Sequence, residues 1–93
     1  MTAKRLRITG LVQGVGYRAW FSAQARSLAL SGWVRNRIDG SVEAVVSGEP
    51  EAIAHIADNA RRGPFGARVS DVSVADDDGA SIREGKFEQL PTF

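Results

Sequence analysis

Residues 33–46 read WVRNRIDGSVEAVV, two strand-like segments joined by a short turn. The Asp39-Gly40 pair supplies the positive backbone angles that tight hairpins require, so the second segment must run antiparallel to the first. Its apolar residues Val42, Ala44 and Val46 alternate, as expected for a strand with one buried face. A hairpin here argues against a doubly wound parallel sheet and favours an α+β fold.

Strand-like and helical segments alternate on both sides of this hairpin. Residues 4–12 alternate like a half-buried strand, and residues 18–30 carry apolar residues at near-helical spacing. Residues 50–62 predict a second helix, with Pro50 suited to its first turn and Gly63 just past its end. The hairpin is therefore flanked by one helix on each side.

The last third of the chain is less regular. Val69, Val72 and Val74 predict a fourth strand whose spacing slips by one residue, which indicates a bulge or a late start. A short final strand is expected within residues 81–90. The order predicts a ferredoxin-like βαββαβ sandwich, with two helices on one face of a four- to five-stranded antiparallel sheet. At 93 residues, we expect a single domain over residues 1–93.

The composition of the chain excludes several kinds of functional site. The chain contains no cysteine, which excludes a disulfide framework, a thiolate metal site and a cysteine nucleophile. No apolar stretch approaches the length of a signal or membrane segment, so we expect a cytoplasmic protein with no membrane partner. The net charge of +1 gives no overall reason to expect nucleic acid. Residues 1–40 carry a single acidic residue, Asp39. This uneven distribution of charge fits either an anion-binding site or a solvated surface with separate basic and acidic regions.

The segment between the first strand and the first helix carries the chemistry. Gly14 and Gly16 allow a turn that aims several N–H groups into one concavity, at the partly positive start of a helix. Arg18 can add a two-pronged contact to a phosphate, and a cation at this end of a helix favours an anion partner. The glycines also fit a relaxed dinucleotide fingerprint with Asp39 as the ribose ligand, but the hairpin at Asp39-Gly40 argues against that interpretation.

Two separate motifs carry a resemblance to a known family. The first runs from Gly10 to Arg18, and the second runs from Gly32 to Asn36 and continues with Gly40, Val42 and Gly48. Together they resemble the two signatures of the acylphosphatase family. The likeness extends from Lys4 to Gly63-Pro64, with a matching overall plan to the end, and the family's fold is the ferredoxin-like sandwich.

The resemblance implies an enzyme that hydrolyses small acyl phosphates to a carboxylate and inorganic phosphate. Arg18 would grip the phosphate, and Asn36 would orient the attacking water. It implies no metal, no other cofactor and no strong general base, because the phosphate itself accepts the proton of the water. We also expect a monomer whose partner is the small substrate and not nucleic acid. The residues implied in substrate binding are Gln13, Gly14, Val15, Gly16, Tyr17 and Arg18.

Two positions depart from the family's pattern. Tyr17 stands where phenylalanine or methionine is common, and its ring fits that slot if the hydroxyl finds a partner or water. Ala29 falls where a glycine often ends the first helix, and a left-handed backbone there would cost about 1 kcal/mol. Neither departure removes a predicted catalytic group.

Other functions stay open at this point. A non-catalytic phosphate-binding regulatory module is the main alternative, because fold does not dictate function. Binding of nucleic acid through the sheet would need exposed aromatic residues, where the strands instead present Leu6, Ile8 and Val42. The motifs also resemble the N-terminal domain of larger hydrogenase-maturation carbamoyltransferases, but the chain lacks their zinc-type cysteine pairs. His55 is expected on a helix at its boundary with solvent, and Asp76-Asp77-Asp78 is expected in a solvated loop.

Overall fold

A computed structural model describes residues 2–93, so Met1, the first residue of the expected domain, lies outside the described residues. The predicted order of elements is confirmed, and the second helix has the predicted bounds because Pro50 and Gly63 mark its two ends. The elements are β1 (Thr2–Leu11), α1 (Tyr17–Ser27), β2 (Ser31–Asn36), β3 (Val42–Gly48), α2 (Pro50–Arg62), β4 (Arg68–Asp76) and β5 (Phe87–Gln89).

The five strands form one sheet in the order β4-β1-β3-β2-β5. Both helices connect parallel strands that are separated by one antiparallel strand: α1 joins β1 to β2 across β3, and α2 joins β3 to β4 across β1. The helices lie on the same face, α1 over β2 and β5, and α2 mainly over β4 and β1. This is the ferredoxin-like arrangement that the sequence predicts.

The fifth strand corrects one part of the prediction. It pairs parallel to β2, with Gly32 opposite Phe87 and Val34 opposite Gln89, so the sheet is mixed and not wholly antiparallel. The chain leaves β4 at one side of the sheet and crosses its open face, where the Trp33 Nε1 donates to Ser81 Oγ at 2.9 Å. The chain therefore approaches β2 from the end where β2 begins, with Gly85 and Lys86 bonded to Ser31 and Gly32. From there β5 runs in the same direction as β2.

A β-bulge bends the sheet beside the first loop. Thr9 pairs with Asp71 and Gly10 with Val69, which leaves Ser70 as the extra residue and confirms the irregularity that the valine spacing predicts. Gly10 has a φ of +120°, and a Cβ there would lie 2.2 Å from the Arg68 carbonyl oxygen. Only glycine fits at this close approach of two strands.

The core lies between the helices and one face of the sheet. Leu6 and Ile8 of β1, Phe21 of α1 and Ile56 of α2 are fully buried there. Each such side chain contributes about 1.5–3 kcal/mol of transfer free energy, so these contacts hold the helices in place over the strands. Within residues 2–93, neither helix is long and apolar enough to span a membrane.

The directions of the strands bring three connections to one edge of the sheet. Because β1 and β2 run parallel, both end at the edge where the antiparallel strands β3 and β4 begin. We call this the site edge. It carries the loop at residues 12–16, the turn at residues 37–41 and the connection at residues 63–67.

Candidate active site

The loop at the site edge prepares the start of α1. Gly14 and Gly16 have φ values of +76° and +78°, and the space around each would admit a Cβ, so the left-handed backbone is what favours glycine there. Gly16 is the N-cap residue of α1, where no side chain caps the helix and the first turn carries no acidic residue. The unpaired N–H groups of this first turn are therefore left for an external acceptor.

A cavity of about 140 Å³ opens at this helix start. It brings Arg18, from α1, together with Asn36, from the end of β2, as the two sequence motifs predict. A larger hollow of about 520 Å³ lies beside the C-terminal end of α1, but none of the predicted site residues lines it. The smaller cavity is lined by Val12, Gly14, Gly16, Tyr17, Arg18, Ala19, Asn36 and Gln89.

The charge of Arg18 has no carboxylate beside it. Its half-buried side chain makes no ion pair or hydrogen bond with any residue in the range 2–93. Arg5, Arg35 and Arg37, by contrast, all pair with the carboxylate of Glu43 at 3.1–3.2 Å. The guanidinium of Arg18 and the positive end of α1 thus form a cationic cavity that an anion would complete.

Asn36 presents a nearly buried amide to the same cavity. The residue is 9% exposed, and its side chain has no hydrogen-bond partner among residues 2–93. No side-chain polar atom in that range is both fully buried and unpaired, so the amide of Asn36 keeps access to solvent. An amide both donates and accepts hydrogen bonds, which suits it to holding a water molecule.

The side chain of Gln13 faces away from the cavity. Its Nε2 donates to the carbonyl oxygens of Arg37 and Ser41, each at 2.8 Å, and so ties the loop to the turn that follows Asn36. Val15 packs against the core and does not line the cavity either. The backbone N–H groups of these two residues are what remain for contact with a substrate.

Tyr17 lies beneath the cavity with its ring in the core. It is 1% exposed, and its hydroxyl donates to the carbonyl oxygen of Ala60 near the end of α2 at 2.7 Å. This bond supplies the partner that a tyrosine needs in this slot. Burial raises the pKa of the Tyr17 phenol well above its usual value. A Cβ at Gly63 would lie 3.0 Å from the ring, so this glycine makes room for it.

The side chain of Asp39 accepts hydrogen bonds that stabilise the hairpin turn. The Ser41 hydroxyl and N–H donate to its carboxylate at 2.6 and 2.9 Å, and Arg7 donates at 2.7 Å. These hydrogen bonds, with those from Ser41 the largest, hold the pKa of the Asp39 carboxyl well below its usual range. These bonds hold Asp39 in the turn between two antiparallel strands, which argues further against the dinucleotide interpretation.

The remaining candidates lie away from the cavity. His55 is exposed on α2, and Asp76 and Asp77 form ion pairs with Lys4 and Arg5. In the part of the chain that the structure describes, no group of three or more His, Cys, Asp or Glu residues could hold a metal ion. Sequence reasoning missed Gln89, which lines the cavity from β5, because the pairing of β5 leaves no local pattern.

Comparisons with known proteins identify the family to which this chain is similar. A family model described as Acylphosphatase matches residues 4–89. The acylphosphatase of Rhodopseudomonas palustris (strain BisB18) is 47% identical, over 97% of this chain and 95% of that protein. The crystal structure of acylphosphatase from Bacillus subtilis superposes with a TM-score of 0.90 at 31% identity, covering 97% of this chain and 99% of that one. An acylphosphatase from Coxiella burnetii gives a TM-score of 0.88 at 31% identity, covering 96% and 92%.

Proposed function

This chain belongs to the acylphosphatase family and is a hydrolase that acts on acyl phosphates, and we propose that Arg18 and Asn36 are its catalytic residues. The observation that supports this proposal is a cavity lined by both a guanidinium and an amide whose side chains have no partner among residues 2–93. The cationic start of α1 would bind the substrate, and Asn36 would act on the water. The two groups come from different elements, α1 and β2, and both line the cavity at the site edge.

The phosphoryl group of the substrate is seated at the start of α1. N–H groups of the loop and of the first helical turn donate to its oxygens, while the Arg18 guanidinium donates two parallel hydrogen bonds. Because no carboxylate of the described residues neutralises Arg18, its charge is available to the phosphate in the ground state and in the transition state. Donors fixed in advance of the reaction stabilise the charge on the equatorial oxygens.

Asn36 positions the nucleophile. Its carbonyl oxygen accepts a hydrogen bond from the water, and its amide nitrogen donates to the water or to a phosphate oxygen. The water oxygen forms a new bond to phosphorus, and the bond between phosphorus and the acyl oxygen breaks. One proton of the water passes to a phosphate oxygen, so the products are a carboxylate and dihydrogen phosphate.

The leaving group explains how so small a site suffices. A carboxylate is a weak base, whose conjugate acid has a pKa of about 4, so it departs without a proton from a general acid. Positioning and charge stabilisation then supply the catalysis. We therefore propose a reaction that needs neither a metal nor another cofactor, with the substrate's own phosphate as the acceptor of the proton.

Several finer features belong to the same proposal. A cavity of about 140 Å³ suits the phosphoryl end of a small acyl phosphate, with the acyl group towards solvent. We propose that one domain over residues 1–93 carries the whole reaction as a monomer. A cytoplasmic location, and the lack of nucleic-acid and membrane partners, stay predictions.

The test is hydrolysis of benzoyl phosphate by the chelator-treated protein. We expect rapid loss of the mixed anhydride, and a fall in kcat/KM of about 100- to 1000-fold in Arg18→Gln, because a charged phosphate contact is lost. Arg61→Gln is the matched control, since Arg61 is exposed on α2 and should leave kcat/KM unchanged.

Two outcomes would contradict the proposal. Equal hydrolysis by Arg18→Gln and by the unsubstituted chain would remove Arg18 from the reaction. Binding of inorganic phosphate without hydrolysis would instead favour the regulatory module, in which Asn36 has no water to position.

A further inference from the structure

The segment at residues 90–93, which we call the strap, continues past β5 along the edge of β2. Leu90 N–H donates to the carbonyl oxygen of Val34 at 2.9 Å, and Phe93 N–H donates to that of Asn36 at 3.1 Å. The Phe93 carbonyl oxygen then accepts the N–H of Ile38 at 3.3 Å. The strap thus bonds to alternate residues of β2 and of the turn that follows it.

Asn36 depends on the strap for one of its backbone partners. On one side it pairs with Val42 of β3, whereas on the other side β5 has already ended at Gln89. Pro91 has no N–H to donate, and three residues of the strap span only two of β2. Phe93 is therefore the strap residue whose N–H reaches the carbonyl of Asn36.

The ring of Phe93 is held on the face of the sheet opposite the helices. The guanidinium carbons of Arg35 and Arg37 lie 4.8 and 5.3 Å from its centroid, within the range of cation–π contact. Both arginines are fixed in turn by the carboxylate of Glu43, at 3.1 Å each. The ring thus contacts the residues on either side of Asn36.

Phe93 is largely exposed, so the contacts of its ring with Arg35 and Arg37 are not part of the core packing. Its side chain is 66% exposed, so little apolar surface is buried by keeping it in place. Four contacts, two through the backbone and two through the ring, nevertheless converge on residues 35–38. The contacts of this exposed aromatic residue therefore surround one candidate catalytic residue, Asn36.

We propose that Phe93 is a positioning residue for the hydrolysis and acts through Asn36. By holding the backbone of Asn36 on the side that β5 leaves open, Phe93 sets the direction of the amide towards the attacking water. Small errors in such a direction lower turnover, while the phosphate contacts at Arg18 are untouched. The inference rests on the proposed role of Asn36.

The experiment compares substitutions of Phe93 in the full chain with benzoyl phosphate as substrate. Phe93→Pro removes both the N–H donor and the ring, and we expect kcat to fall about 10-fold. Phe93→Ala keeps the donor and should lose about 3-fold, and Phe93→Tyr should recover most of that loss. KM and inhibition by inorganic phosphate should stay constant across the series. Thr92→Ala is the control, since Thr92 is exposed and makes no side-chain hydrogen bond within residues 2–93.

A purely structural role would give a different result. If Phe93 only supported the fold, the free energy of unfolding in urea would fall while kcat of the folded protein stayed normal. That result, or a loss of phosphate inhibition in parallel with kcat, would overturn the inference.

A double variant tests whether Phe93 acts through Asn36. In an Asn36→Ala background, Phe93→Pro should cause no further loss of kcat, whereas a second 10-fold loss would overturn the inference. Normal kcat in Asn36→Ala alone would overturn the proposed role of Asn36 and this inference with it. A large loss in Asn36→Ala beside a normal Phe93→Pro would overturn the inference alone.

Discussion

The two helices of this protein begin in opposite ways. At the start of α1, Gly16 has a left-handed backbone, no acidic residue lies in the first turn, and Arg18 adds positive charge. At the start of α2, Glu49 is the N-cap residue, Pro50 follows it and Glu51 lies in the first turn. The partial positive charge of α2 is therefore offset by its own carboxylates, while that of α1 is left open and reinforced.

The difference is informative because the two halves otherwise share one plan. Each half is a strand, a helix and a parallel strand, but β1 and β3 run antiparallel, so α1 starts at the site edge and α2 starts at the opposite edge. The symmetry of the fold thus offers two helix starts, and the sequence leaves only one of them open to an anion. We therefore propose that function here comes from a few residues at one helix start and not from the fold as a whole.

The largest expected effect concerns Asn36, the group beside α1 that we propose positions the water. Asn36→Ala should lower kcat for benzoyl phosphate by about 100- to 1000-fold with little change in KM, because the phosphate contacts stay intact. Asn59→Ala is the matched control: Asn59 is an equally buried asparagine of α2, bonded to Gln24 at 2.9 Å. It should lower stability and leave kcat unchanged. Similar losses of kcat in both variants would contradict the special role of the site edge.

A second variant gives α1 the acidic start that α2 has. Ala19 is exposed, lies in the first turn of α1 and lines the cavity, so Ala19→Glu places a carboxylate beside the substrate phosphate. We expect KM for benzoyl phosphate to rise about 10-fold at low salt and less at high salt, because salt screens the repulsion. Ala19→Gln has the same size without the charge, and Glu51→Gln removes one of the two carboxylates at the start of α2. Equal KM values for Ala19→Glu and Ala19→Gln would show that charge at this helix start does not matter.

The smallest effect concerns the bond that joins the start of α1 to the end of α2. Tyr17→Phe leaves the Ala60 carbonyl without its partner, and the free energy of unfolding should fall by about 1–2 kcal/mol. Ser22→Ala is the control, because the Ser22 hydroxyl bonds a carbonyl that α1 already pairs, and its loss should cost less. Equal losses of stability in Tyr17→Phe and Ser22→Ala would mean that the hydrogen bond between the helices contributes no more than one within α1.

The same tyrosine gives this contact a pH dependence. Because the pKa of the Tyr17 phenol is raised on folding, the folded protein keeps a proton that the unfolded chain loses above about pH 10, so stability falls as pH rises through that region. Tyr17→Phe should lack this part of the alkaline decline. Tyr17 is the only tyrosine in the chain, so the ultraviolet absorbance of phenolate follows it directly. Titration at the usual pH in the folded state would contradict the burial.

Much of the fold could be predicted because local residues determine it. Asp39-Gly40 marks the hairpin, and the spacing of Val69 and Val72 reveals the bulge. The direction of β5 could not be predicted, because three residues carry no clear alternation and their partner, β2, is distant in sequence. Ala29, at the end of α1, does adopt the left-handed backbone considered from the sequence, with a φ of 57°.

The candidate site shows the same division. The resemblance of two motifs to a known family implied a site that contains Arg18 and Asn36, and both residues line one cavity. The direction of the Gln13 side chain could not be predicted, because it depends on the carbonyl oxygens that the turn at residues 37–41 presents. Gln89 lines the cavity, and Phe93 bonds to the backbone of Asn36, through the pairing of β5 and the strap with β2, and that pairing has no local signal.

The most direct test of the contrast between the two helix starts is to titrate the ¹⁵N-labelled protein with inorganic phosphate and follow the backbone amides by NMR. We expect saturable shifts of the amides of Gly14, Gly16 and Arg18, no shifts at the start of α2, and loss of the effect in Arg18→Gln. Shifts at Glu51, or shifts at the loop that persist unchanged in Arg18→Gln, would contradict this expectation.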